Sequence, residues 1–230
     1  MKLSFSIIVL LALSLTATFA DPKAEVGDAI KKLAAQSGYS WTYTPKTEGS
    51  ESARRQGALT GKTEKDGFTL MRGEAGEVTF DLGIKGEKMV VNYNGDWISA
   101  AEIGENNRTV QRLRALKIPV AEAESLAGKT TSLKKDSDGA YSGELDGATA
   151  KEMFALLGRR AAEAPKAEGT VKFWVKDGRL AKYEFVVRGK ITTGGEEKRE
   201  VEVSRTTTVD ITDVGSTKVS LPEEAKKKLS

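Results

Sequence analysis

Between Val171 and Val187 the chain reads VKFWVKDGRLAKYEFVV, two alternating arms around Asp177-Gly178. In the first arm Val171, Phe173 and Val175 oppose Lys172, Trp174 and Lys176. In the second, Ala181, Tyr183, Phe185 and Val187 oppose Lys182, Glu184 and Val186. A period of two predicts strands with one buried face and one wet face, and Asp-Gly predicts a tight hairpin turn between them. Similar alternation recurs along the chain. Tyr39, Trp41 and Tyr43 make the heavily aromatic side of one strand. A strand over 58–64 and the sets Phe68/Leu70, Val78/Phe80/Leu82 and Met89/Val91/Tyr93 predict an antiparallel meander with one apolar face. Its turns fall at Asp66-Gly67 and Asn94-Gly95, the latter followed by Trp97. Late in the chain, a turn at Gly194-Gly195 leads into a long strand carrying Val201, Val203, Arg205, Thr207, Val209 and Ile211 on one face.

Helical spacing appears in three places. Over 22–36, Val26, Ile30, Leu33 and Ala34 share a face, with Asp21 as cap, Pro22 in the first turn and Gly38 as the stop. In the middle, Asn106 or Asn107 caps a helix with Val110, Leu113 and Leu116 that ends before Pro119, and residues 121–126 add a short helical turn. Thr149-Ala150-Lys151-Glu152 reads as a capping box opening a helix with Met153, Phe154, Leu156 and Leu157, apolar positions that suit a core. The chain closes with KVSLP and a short charged tail. Helices grouped between two blocks of antiparallel strands predict a β-rich α+β fold in one domain over 21–230.

Composition narrows the chemistry. MKLSFSIIVLLALSLTATFA has a basic start, an apolar stretch too short to span a bilayer and a small-residue end, so residues 1–20 read as a signal peptide. The expected product is exported, periplasmic or secreted, and soluble after cleavage. No Cys follows the apolar stretch to take a lipid anchor, and without any Cys no disulfide supports the fold. That suits a bacterial periplasm better than a eukaryotic secreted module. The chain also contains no His, which removes Ser-His-Asp and Cys-His catalysis and the usual zinc sites. Lys and Arg total 36 against 33 Asp and Glu, interspersed and without a basic stripe, so nucleic acid is not an expected partner. Gly61-Lys62-Thr63 and Gly128-Lys129-Thr130 lack the earlier glycine of a phosphate loop, having Gln56 and Ala123 there. Asp136-Ser137-Asp138-Gly139 reads as a hairpin turn, not a calcium loop. No catalytic residue, cofactor or metal is expected.

What remains is a large apolar face. A sheet of this many strands curls because strands twist, and its concave side is then covered by helices or filled by a ligand. Two phrases bear on this, FWVKDGRL over 173–180 and DVGSTKVSLP over 213–222, within the order helix, aromatic strand, meander, helices, strands. Here the chain resembles the superfamily of periplasmic lipoprotein carriers (LolA-like), which includes lipoproteins thought to carry glycolipids. The resemblance spans most of the mature chain. It implies a curved, half-open antiparallel β-barrel with about three helices covering the concave face, and a lipid or acylated lipoprotein as partner. The chain departs from the membrane-anchored relatives in lacking the lipid-attachment Cys, and no recognised lipoprotein-binding position transfers to it. The expected apolar cavity residues are Trp41, Tyr43, Phe68, Phe80, Met89, Phe154, Phe173, Tyr183 and Phe185, with Arg205 as a head-group partner or a rim residue snorkelling to water. Each buried methylene contributes ~0.8 kcal/mol, so an acyl chain could be held without any reactive group. Trp174 is expected on the convex side under lysine stems, or as part of a docking patch for a transient envelope partner. The rival reading is an envelope interaction module with a filled core; an enzyme using carboxylates alone is a third.

Overall fold

Asp21 accepts a hydrogen bond from the Lys23 amide at 3.1 Å and so caps the first helix, α1 (Pro22–Ala34). A computed structural model of the chain describes residues 21–49, 57–65, 67–75, 78–93, 95–193 and 198–230. The expected signal peptide, and part or all of the turns at Asp66-Gly67, Asn94-Gly95 and Gly194-Gly195, lie outside them. Six strands follow α1: β1 (Gly38–Glu48), β2 (Leu59–Glu64), β3 (Thr69–Ala75), β4 (Val78–Lys85), β5 (Lys88–Tyr93) and β6 (Asp96–Ser99). Three helices come next, α2 (Ala100–Ile103), α3 (Arg108–Arg114) and α4 (Pro119–Lys129). The hairpin β7 (Thr130–Lys135) and β8 (Tyr141–Leu145) leads to α5 (Gly147–Ala155) and α6 (Arg159–Ala162). The chain then forms β9 (Ala167–Lys176), β10 (Arg179–Thr193), β11 (Arg199–Thr212) and α7 (Glu223–Lys228).

All the strands belong to one antiparallel sheet of 11, ordered β6-β5-β4-β3-β2-β1-β11-β10-β9-β8-β7. The edge strands β6 and β7 do not pair, so the sheet stays open. Laid flat, so many strands would span roughly 50 Å. Yet Met71 and Leu82 from one half share a single apolar core with Tyr141 and Leu145 from the other. The sheet is therefore curled, as the half-open barrel reading expected. The long hairpin is as the sequence predicts: Asp177 has φ 52° and Gly178 φ 70°, and positive φ at both positions is what a type I′ turn needs. A register shift between Leu180 and Lys182 lets Leu180 and Tyr183 both reach the core, although they are three residues apart. On the other face, Lys172 and Lys182 lie 5.3 and 4.9 Å from the Trp174 ring centre, covering it as expected.

The concave face carries most of the helical cover. From α1, Val26, Ile30 and Leu33 enter the main core, together with Ala123 and Leu126 of α4. Beyond them, Phe154 of α5 and Ala161 of α6 form a second cluster with Val187 and Val203. Several local readings need correction. Asp146, not Thr149, caps α5, because its carboxylate accepts from both the amide and the hydroxyl of Thr149 at 2.8 Å each. The capping box instead opens α2, between Ser99 and Glu102. Pro119 begins α4 as its first residue, so the expected short turn is an 11-residue helix. Gly38 opens β1, where a Cβ would come within 2.7 Å of the Thr217 carbonyl oxygen; α1 has already ended at Ala34, with Ala35 as its C-cap. The charged tail is α7, which buries Ala225 with the following Leu229 against Val90 and Trp97.

That last contact changes the single-face picture of the meander. Met71, Met89 and Val91 point to the main core, while Phe68, Leu70, Val90 and Trp97 pack on the opposite face beneath α7. Both faces of β3–β6 are thus apolar, and Phe68 is on the convex side. Phe154 is the anchor of the far cluster and is fully buried. Phe154→Ala is expected to cost about 3–5 kcal/mol, read from urea unfolding. A cost under ~1 kcal/mol would contradict this packing.

Candidate functional site

The main core and the α5–α6 cluster leave a gap between them on the concave side. A cavity of about 460 Å³ occupies it. Its floor is the centre of the sheet: Trp41 and Tyr43 of β1, Phe185 and Val187 of β10, and Arg205 and Thr207 of β11. Its roof comes from the α3–α4 connection with Leu116 and Lys117, from Glu122, Ser125 and Leu126 of α4, and from Met153 of α5 with Leu156 and Leu157 just after it. Leu59 and Met71 close one side. Leu156 is 72% exposed and marks the open side, the one large apolar residue so exposed among the described residues.

Strand alternation explains the floor. Directly opposed residues of antiparallel strands share a face. Arg205 therefore lies between Thr47 and Val187, and Thr207 between Pro45 and Phe185. The Trp41 ring reaches its place because Gly61 lies across from it; a Cβ there would stand 2.1 Å from ring atoms. Trp41 Nε1 donates to Thr63 Oγ1 at 3.2 Å, which fixes the indole.

Five charged residues line the cavity. Lys129 and Glu152 pair at 3.6 Å across the α4–α5 side. Glu122 accepts the Tyr183 hydroxyl at 2.7 Å, and burial pushes its carboxyl above the ordinary carboxylate range, against the pull of that bond and of Lys117. Burial likewise raises Tyr43 to about 12, helped by the Glu122 charge, and drives Tyr183 well above its usual value. Arg205 donates through Nε to Thr47 Oγ1 at 3.0 Å, and burial lowers its pKa. Among the described residues no carboxylate lies within ion-pair distance of it. Thr207 is fully buried and its hydroxyl oxygen has no hydrogen-bond partner. Tyr43 is a neighbour but does not meet it in hydrogen-bonding geometry.

Of the ten residues expected at a cavity, Trp41, Tyr43, Phe185 and Arg205 line this one. Tyr183 lies beside it, bound to Glu122. Phe173 and Met89 are buried in the main core, and Phe80 packs against that core at its edge. Phe154 belongs to the α5–α6 cluster and Phe68 to the opposite face. Sequence reasoning missed Glu122 and Thr207. Spacing could have found both: Glu122, Ser125, Leu126 and Lys129 share one face of α4, and Thr207 follows Arg205 by two. Among the described residues no group of three or more acidic, His or Cys side chains forms a metal site, and no helix is long and apolar enough to cross a membrane.

No protein-family model matches the chain, and no curated protein matches it. Solved structures do. The crystal structure of LprF from Mycobacterium bovis is similar over 89% of this chain and 97% of its own, at 10% identity and a TM-score of 0.46. A LolA superfamily protein from Nitrosomonas europaea is similar over 89% of this chain and 96% of its own, at 14% identity and a TM-score of 0.35.

Glu122 makes the site sensitive to pH. Its raised folded-state pKa means the folded chain holds the proton more tightly than the unfolded chain. Its contribution to stability is full below the unfolded value and is lost as pH rises through the folded one. Glu122→Gln removes the charge and keeps an oxygen for Tyr183. The variant is expected to melt higher than the parent at neutral pH, with the advantage shrinking to nothing in acid. A difference in Tm that does not vary with pH would refute the assignment.

Proposed function

We propose that this chain is a non-catalytic, exported binding protein that holds the acyl chain of a lipid or acylated lipoprotein between its sheet and its helices. One observation carries the reading: the cavity of about 460 Å³, with an aromatic and aliphatic lining on floor and roof interrupted by a limited set of polar groups, and with Leu156 exposed at its open side. Its volume falls in the lower part of the ~300–1,000 Å³ range of ligand pockets, which suits one hydrocarbon chain better than several. The driving force is the transfer of methylenes out of water, ~0.8 kcal/mol each before ordering costs. Its few polar groups can orient an amphiphile while the apolar walls bind it. No arrangement of nucleophile, base and oxyanion donors is needed for this task.

Native mass spectrometry of the protein purified from periplasm without detergent tests the reading. A discrete added mass that extracts into organic solvent is expected. Ser125→Trp, which places an indole in the cavity from α4, is expected to abolish that mass while the variant still melts within a few degrees of the parent. A parent protein that carries no lipid and takes up no fluorescent fatty acid would instead favour an interaction module. The export reading has its own check. Amino-terminal sequencing of the mature protein is expected to begin at Asp21, and an intact Met1 would refute it.

A further inference from the structure

The polar end of the cavity carries a charge imbalance that the acyl-chain reading leaves unexplained. Three cations and two carboxylates line the cavity. Lys129 and Glu152 satisfy each other, and Glu122 is held by Tyr183 near Lys117. Among the described residues Arg205 is left with one neutral acceptor, Thr47, on its Nε. Its two terminal nitrogens carry four further N–H donors, and arginine does not shed its charge in proteins. A half-buried guanidinium without a counterion is costly, so such groups are normally paired.

Thr207 repeats the omission one position along the same face of β11. Its hydroxyl is fully buried and meets no partner in hydrogen-bonding geometry: the cross-strand neighbours Pro45 and Phe185 offer no polar side chain, and the Tyr43 hydroxyl stands nearby without the geometry of a bond. Buried polar groups almost always find a partner, and one left alone in a cavity wall points to something the cavity holds. The two groups stand together on the floor, on the same strand, with apolar walls beyond them.

Building on the acyl-chain reading, we infer that the ligand is an amphiphile with an anionic head, a carboxylate or a phosphate, which sits on Arg205 and accepts a hydrogen bond from Thr207. The hydrocarbon tail then runs along Phe185 and Val187 beneath Leu126 and Met153. Arg205 presents a planar fork of donors, which matches two oxygens of a carboxylate or phosphate. Thr207 adds a third bond. The Glu122 carboxylate is itself occupied by the Tyr183 hydroxyl, with Lys117 near it.

Titration calorimetry with four amphiphiles of equal chain length tests this: laurate, dodecyl phosphate, dodecanol and dodecylamine, each below its aggregation threshold. One anion is expected to bind at least roughly tenfold tighter than dodecanol, the gain typical of charge-assisted hydrogen bonds. Which anion it is identifies the head. In Arg205→Gln that preference is expected to vanish, the anion losing roughly tenfold more affinity than dodecanol does. Thr207→Val, which removes an unpaired hydroxyl at constant shape, is expected to weaken the anion and to leave the empty protein at least as stable as the parent. The valine variant keeps the test decisive if Arg205→Gln fails to fold. Equal affinity for anion and alcohol, a preference that survives Arg205→Gln, or tightest binding of dodecylamine would overturn the head-group assignment and leave the acyl-chain reading standing. No binding of any of the four would overturn both.

Discussion

The sheet ends in two strands that never meet, and the rest of the molecule answers that fact. Closing a barrel of 11 antiparallel strands would satisfy both edges, but β6 and β7 stay apart. The chain passes from one edge to the other through α2, α3 and α4, so the segment that must bridge the seam is helical, and helices satisfy their own backbone groups. A helix laid on a curled sheet touches it along a stripe rather than everywhere. Where the stripe of α4 ends and that of α5 begins, sheet residues are left facing space, and the cavity is that space.

The polar side chains around the cavity obey the same geometry. Strand alternation places every second residue of β11 on the floor whether or not it is apolar, and so Arg205 and Thr207 stand among valines. Tyr43 and Tyr183 reach the same region from β1 and β10, and Glu122 comes down from α4 to meet Tyr183. In water these groups would find partners cheaply. In a low-dielectric gap each depends on the few atoms the fold supplies, so the pairing of Tyr183 with Glu122 and the lack of pairing at Thr207 both become significant.

Much of the architecture was legible from period and turn chemistry. Asp177-Gly178 fixes the hairpin because both positions need positive φ, and alternation then places Phe173, Tyr183 and Phe185 inside and Trp174 outside. The aromatic side of β1 reached the cavity for the same reason. The meander was misread where alternation fails to discriminate: Leu70 adjoins Met71, Val90 stands between Met89 and Val91, and Trp97 adjoins Ile98, so both faces offer apolar side chains and only the docking of α7 shows that the second one is covered. That helix itself was hidden, because Ala225 and Leu229 are too few apolar positions among lysines and glutamates to show a helical stripe. Asp146 was overlooked as a cap because Thr149 followed by Glu152 offers the same pattern, and which oxygen wins depends on the direction from which the chain enters. The cavity was not legible at all. It is a difference between the volume the helices fill and the volume the sheet encloses, and neither is local in sequence.

The two halves of the roof have separate main anchors. α4 is held through α1 and the main core, and α5 through α6 and the cluster around Phe154, Val187 and Val203. Across the line between them Met153 of α5 packs against both clusters, and the Lys129–Glu152 pair, exposed on both partners, adds little. The cavity wall is therefore set mainly by two apolar anchors on either side of it. An apolar gap kept open in this way cannot be removed by simple collapse, since moving either helix inward would unpack its own cluster. This explains how a domain of ordinary size retains space along its concave face, and why Leu156, beside that line, stays exposed with no partner from the core.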